Sequence, residues 1–143
     1  MQTMTQQQIA RSVTIGRTLI AGSAAGVISA IVSNLLAWGI IAANDFAFEM
    51  LNGFSITLSA FFANVIGAFI YRVLQKRSSR AVIYYAILSL VMAVLMTFNT
   101  VSNPMEPHIG AVANPLHFAV ALLSLVLIPK FMQRAAAAAS KKG

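Results

Sequence analysis

Six polar side chains stand in or beside long apolar stretches of this sequence, where their types could bind a solute or carry a proton. His117 is the clearest case, because it lies in the almost wholly apolar run ANPLHFAVALLSLVLIPK, residues 113–130. An unpaired polar group in hydrocarbon costs several kcal/mol and therefore usually faces a partner or water. The candidate ligand-binding residues are Asn34, Asn99, Asn103, Glu106, His108 and His117.

These residue types leave three readings of His117 open. Imidazole and carboxylate together suit zinc or copper, but nothing resembles a helical His-x-x-x-His pair, and we predict no metal site. A second reading is a polar solute or proton-coupled site. The third is a structural histidine that hydrogen-bonds a carbonyl group or water.

Catalytic motifs do not accompany these residues. Glu106 could orient His117 as a general base, yet the sequence contains no P-loop, G-x-G-x-x-G, H-E-x-x-H or G-x-S-x-G motif. The chain has no cysteine, which excludes thiolate chemistry and cysteine-based metal sites. We therefore predict no catalytic residue, no cofactor and no enzymatic activity.

The elements that position these residues follow from composition. Hydrophobic residues make up 59% of the chain and charged residues only 9%, too little polar surface to coat a soluble globule of 143 residues. About 20 apolar residues are needed for a helix to cross a bilayer. The sequence predicts an all-α integral membrane bundle with four spans, at about 18–43, 54–71, 81–101 and 112–132. They form one domain, 13–134, between a polar N-terminal tail, 1–12, and an Ala/Lys-rich C-terminal tail, 135–143.

Charge placement predicts the orientation of this bundle. All ten basic residues flank the spans on one side, and the three acidic residues, Asp45, Glu49 and Glu106, fall in the two connections on the other. Lysine and arginine in short loops are retained in the cytoplasm, so both termini are expected there, in a plasma (inner) membrane. Short clusters at helix ends also explain the net charge of +7 through anionic lipids, without a nucleic-acid partner.

Stripes of small residues predict how the helices pack. Helices associate in lipid through close contact and hydrogen bonds, since the hydrophobic effect contributes little between them. The first span carries Gly22 and Gly26 one turn apart, and the second offers Ser59, Ala63 and Gly67 at the same spacing. We predict that these faces pack within the bundle; a homodimer through Gly22 and Gly26 is the alternative.

The start of the fourth helix decides whether the six polar residues can meet. Asn114 before Pro115 reads as an N-cap and a first helical position. A helix starting there has only about 20 Å up to Leu127, so it either continues through Pro129 with a kink or starts inside the membrane. In the second case, residues 101–115 form a partly re-entrant segment over an outward-facing polar cavity.

The order of these features resembles a family of small bacterial four-helix integral membrane proteins of unknown function. The features are Asn34-Leu35 in a glycine-containing first helix, a basic end to the second, a proline-bearing outer loop, and Leu116-His117-Phe118 in the fourth. The resemblance covers residues 16–132. It implies a bacterial plasma membrane and the four-helix fold, but no activity.

Two function classes remain after catalysis is set aside. The first is an accessory or scaffold subunit of a larger membrane assembly, favoured by short loops and small-residue faces. The second is a small-solute or ion binding or transport protein that uses the outward cavity around His117. The expected partners are membrane lipids, together with other membrane subunits or further copies of the chain.

Overall fold

Four long α-helices make up the part of the chain that the computed structural model describes, which is residue 5, residues 8 and 9, and residues 13–140. They are α1 (Ile15–Asn44), α2 (Gly53–Arg77), α3 (Ala81–Ser102) and α4 (Ile109–Ser140). Each is long and apolar enough to cross a membrane. The prediction of an all-helical fold with four helices of spanning length is confirmed.

Local capping signals set the short connections. Thr14 caps α1 by accepting a hydrogen bond from the Arg17 amide, and Asp45 ends this helix in the left-handed region, with φ of 53°. Asn52 begins α2 in a capping box with Ser55, in which each side chain accepts a hydrogen bond from the backbone amide of the other residue. Such caps satisfy amides that a helix start leaves without partners.

The helices form an antiparallel bundle with α1 at its best-packed position. α1 packs most extensively on α2 and also on α4, whereas α3 packs mainly on α4. We call the end with Arg17, Arg72, Arg80 and Arg134 the basic end. We call the opposite end, with Asp45, Glu49 and Glu106, the acidic end.

Two apolar clusters fill the interior, one towards each end. The basic-end cluster surrounds the buried rings of Tyr71 and Tyr85 and extends to Ile128 and Met132. The acidic-end cluster joins Ala37 of α1 and Ile56 of α2 to Val112 and Leu116 of α4. The interior is therefore built from side chains of all four helices.

The predicted start of the fourth helix is wrong. α4 begins at Ile109, so Asn114 and Pro115 lie inside it, and Pro129 lies inside it as well. The physical reason is burial: Val112 and Leu116 are 0% and 6% exposed in the acidic-end cluster. Helical geometry satisfies backbone polar groups that burial removes from water. Only residues 103–108 remain between α3 and α4, so the larger re-entrant segment is not seen.

The bundle also reaches into both predicted tails. α4 continues through the alanine run to Ser140, and Ala136 is fully buried in the basic-end cluster. Ile9 is buried in the same cluster, although the sequence favours a peripheral polar tail there. Residues 1–4, 6, 7, 10–12 and 141–143 of these tails lie outside the described residues.

The predicted packing face is observed for α1 but only in part for α2. Gly22 and Gly26 lie directly against the α2 backbone, and Gly67 is buried. Ser59 and Ala63, in contrast, are exposed. The buried face passes through Ala60 and Asn64 instead, one residue and about 100° away around the helix. The sequence pattern missed this face because Asn64 is polar and the prediction was based on small residues.

Candidate functional site

Glu106 ties the two connections at the acidic end together. Its carboxylate accepts hydrogen bonds from three consecutive backbone amides, those of Glu49, Met50 and Leu51, at 2.7, 3.2 and 3.3 Å. These amides belong to the connection between α1 and α2, whereas Glu106 lies between α3 and α4. A carboxylate that accepts several backbone amides is held in its charged form.

The electrostatics of Glu106 follow from this geometry. The hydrogen bond from the Glu49 amide, reinforced by those from Met50 and Leu51, holds the pKa of this carboxyl below its usual range. The contact therefore stabilises the junction of the two connections fully when the pH is above the ordinary pKa of a glutamate. This stabilisation is lost as the pH falls through the lowered pKa of Glu106. At neutral pH the charged carboxylate binds the amides of residues 49–51 in the connection between α1 and α2.

His108 makes a second link between the same two connections. Its ring stacks on Phe46 with centroids 5.4 Å apart and an interplanar angle of 3°. The residue adopts φ of 61°, a left-handed conformation uncommon outside glycine. His108 directly precedes Ile109, the first residue of α4. The stacked ring therefore lies at the start of this helix.

Asn34 is used in the contact between α1 and α2. Its side-chain amide donates to the Ala30 carbonyl at 2.8 Å and to the Thr57 hydroxyl at 2.9 Å. Asn34 and Thr57 also line a shallow groove of about 560 Å³ with Trp38 and Phe61. None of the other five predicted ligand-binding residues lines this groove.

His117 belongs to α4, and its half-buried side chain faces α3. Its Nδ1 atom is 3.4 Å from the Thr97 hydroxyl of α3. Asn99 and Asn103, at the end of α3, are exposed, and the Asn103 amide lies 3.4 Å from the Asn99 side-chain oxygen. The ring of His117 thus faces a neighbouring helix rather than the two asparagines.

The contacts of the six predicted residues therefore lie in several parts of the bundle. Glu106 and His108 join the α3–α4 connection to the α1–α2 connection. Asn34 joins α1 to α2, and His117 of α4 lies against α3. Within the described part of the chain, no group of three histidine, cysteine, aspartate or glutamate residues could hold a metal ion.

Sequence reasoning missed a buried polar cluster at the meeting of α2, α3 and α4. The hydroxyl groups of Tyr85 and Ser124 share a short hydrogen bond, and the Tyr71 hydroxyl hydrogen-bonds with Gln75. The two tyrosine rings pack with centroids 5.2 Å apart. Gly67 makes room for this cluster, because a Cβ there would collide with the Tyr85 hydroxyl.

The sequence signal for this cluster was ambiguous. Tyr71 and Tyr85 stand near span ends, where tyrosine is typical of the membrane interface. Both are nevertheless buried in the bundle, whereas the adjacent Tyr84 is 50% exposed. The register of Tyr85 with Gly67 of α2 and Ser124 of α4 becomes visible only in the fold.

Comparison with protein-family models, with curated proteins and with solved structures finds no match to this chain. The resemblance to small bacterial four-helix membrane proteins therefore stays a prediction based on the sequence features alone.

Proposed function

We propose that this chain is a multi-pass membrane protein with both termini in the cytoplasm, and that it acts as an accessory or scaffold subunit of a larger membrane assembly. The observation that carries the proposal is that polar side chains of the helices contact side chains of neighbouring helices. Asn34, Tyr85 and His117 each lie against a side chain of a neighbouring helix. Such contacts hold the helices together, which supports a structural role as an accessory or scaffold subunit.

The outer surface of α3 supports a role in assembly. Only Ala81, Tyr85 and Ala93 of this helix are buried, and α3 packs mainly on α4. Large apolar side chains such as Val91 and Leu95 project outwards, 46% and 54% exposed. In a bilayer this face can contact lipid or the apolar surface of another subunit.

Photo-crosslinking in native membranes tests the proposed assembly. A benzophenone amino acid at Leu95 is expected to give a discrete adduct with a different protein, identified by mass spectrometry. The matched control is Leu35 on α1, which is 64% exposed. Adducts with lipid alone from α3 positions, including Val91 and Leu95, would contradict an accessory role, and adducts with a second copy of the chain would replace it with a homo-oligomer.

The orientation can be tested separately, because the absence of cysteine makes any introduced cysteine the only thiol. Ala47→Cys lies at the acidic end and Ser79→Cys at the basic end, and both positions are exposed. An impermeant maleimide is expected to label Ala47→Cys in intact cells and Ser79→Cys only after permeabilisation. The reverse pattern would invert the proposed topology.

A further inference from the structure

A groove between α1 and α4 opens at the basic end and combines an apolar floor with two arginines. It has a volume of about 360 Å³ and runs between Ile20 and Ala24 on α1 and Phe131 on α4, with Arg17 and Arg134 beside it. Ile20 is 70% exposed, so this wall of the groove projects outwards. The groove is separate from the contacts at the acidic end and from the buried tyrosine cluster.

Arg17 is positioned across this groove. Its Nη1 atom donates to the Ala135 carbonyl of α4 at 3.5 Å, which is a long hydrogen bond. A guanidinium group has five N–H donors, so this contact leaves others for a ligand. Arg134 is exposed on the facing helix.

Neither arginine has a carboxylate partner within the described part of the chain, because Asp45, Glu49 and Glu106 all lie at the acidic end. Two guanidinium groups beside one groove can therefore bind an anion that the described part of the chain does not supply. Guanidinium groups match phosphate oxygens in bidentate geometry.

The height of the groove along the bundle indicates what kind of anion this is. Arg17 directly precedes the uncharged stretch 18–43 of α1, and Lys130 is the first charged residue after the apolar stretch of α4. In a membrane-spanning bundle both arginines stand at the headgroup level. Ile20 and Ala24 continue the groove by about 5 to 10 Å towards the hydrocarbon core.

We propose that this groove is a binding site for an anionic phospholipid of the surrounding bilayer. The lipid phosphate binds Arg17 and Arg134, and one acyl chain lies along the groove between Ile20 and Phe131. Basic pockets between helices on the cytoplasmic side are typical sites for such headgroups. The inference rests on the proposed membrane location, and it assigns a specific lipid contact beyond that location.

Native mass spectrometry of the full-length protein, titrated with phosphatidylglycerol or phosphatidylcholine, tests this site. We expect retention of one phosphatidylglycerol molecule and about fivefold weaker binding in Arg17→Gln or Arg134→Gln, because each variant loses one direct guanidinium contact to the anionic headgroup, which contributes about this factor. The matched control is Arg77→Gln, which removes the same charge from an exposed residue outside the groove. Its affinity is expected to stay at the original value.

Two further measurements distinguish the source of the phosphate and the role of the groove. Excess inorganic phosphate is expected to leave the bound lipid in place, because the acyl chain contributes to binding. Ala24→Phe is expected to weaken lipid binding without a change of charge, and circular dichroism checks that each variant keeps its helices.

Three outcomes would overturn the lipid site. They are equal retention of phosphatidylcholine, an equal loss of binding in Arg77→Gln, and full displacement of the lipid by inorganic phosphate. Carbonate extraction of native membranes separates this failure from failure of the proposed location. A chain that remains in the membrane but shows no lipid preference refutes only the site, whereas a chain that is extracted refutes the location as well.

Discussion

Gly26→Ala is expected to destabilise the contact between α1 and α2. A Cβ at this position would lie 2.9 Å from the Phe61 carbonyl oxygen and 3.0 Å from the Phe61 Cα. Both atoms belong to the α2 backbone, so no side-chain rotation can remove the overlap. Because carbon atoms pack at about 3.5 to 4.0 Å, the two helices must separate by about 0.5 Å.

The magnitude follows from two opposing effects. Overpacking of a close contact costs about 1 to 3 kcal/mol, while alanine is about 1 kcal/mol better than glycine inside a helix. We expect a net loss of up to about 2 kcal/mol in the free energy of unfolding. Adding Gly22→Ala is expected to cost less than a second full increment, because one shift of α2 relieves both contacts.

The chain supplies a matched control in the same helix. At Gly39 an added Cβ would meet no described atom within 4 Å beyond its chain neighbours and the backbone of its own helix, so Gly39→Ala gains helix propensity without a clash. Reversible unfolding in mixed micelles, followed by circular dichroism, compares the two variants directly. Equal stability of Gly26→Ala and Gly39→Ala would refute the close approach of the two backbones.

Three other contacts give predictions of their own. Glu106→Gln is expected to speed hydrogen exchange at the three amides that the carboxylate holds. The original protein is expected to show the same change only as the pH falls through the lowered pKa of Glu106, below the ordinary pKa of a glutamate, because protonation removes the charge that accepts the three amides. Tyr85→Phe is expected to cost about 1 kcal/mol in micelle unfolding through loss of the hydrogen bond to Ser124, whereas Tyr84→Phe, at an exposed position, is expected to cost nothing measurable. Asn52→Ala is expected to cost about 1 kcal/mol in the same assay, because two amides at the start of α2 lose their cap.

The four helices could be predicted from sequence because an apolar stretch of about 20 residues forms a helix when it crosses lipid. The start of α4 could not. Asn114-Pro115 is a strong local signal for a helix start, but Val112 is fully buried against other helices. Tertiary burial outweighs the cost of a proline in the second turn, and that burial depends on residues more than 50 positions away in the chain.

The candidate site was harder to predict, because convergence depends on which helices are neighbours and on how each is rotated. The sequence indicates that Asn34 and His117 need partners, and both have them. It does not reveal that Thr57 of α2 serves the first while Thr97 of α3 lies beside the second. Glu106 likewise follows Pro104 in a connection, and only the fold brings the amides of residues 49–51 to its carboxylate.

The contrast between α2 and α3 shows why polar side chains lie where they do. α2 approaches α1 at Gly22 and Gly26, so extensive backbone contact is possible. α3 contains no glycine and has only three buried residues, so its bulky aliphatic side chains prevent a comparable approach. In lipid, where the hydrophobic effect hardly favours one apolar surface over another, such a helix depends on hydrogen bonds. The contacts from Tyr85 to Ser124 and from Thr97 to His117 lie three turns apart along this helix. They fix its rotation against α4, while only three residues of this helix are buried and most of its surface stays outside the core.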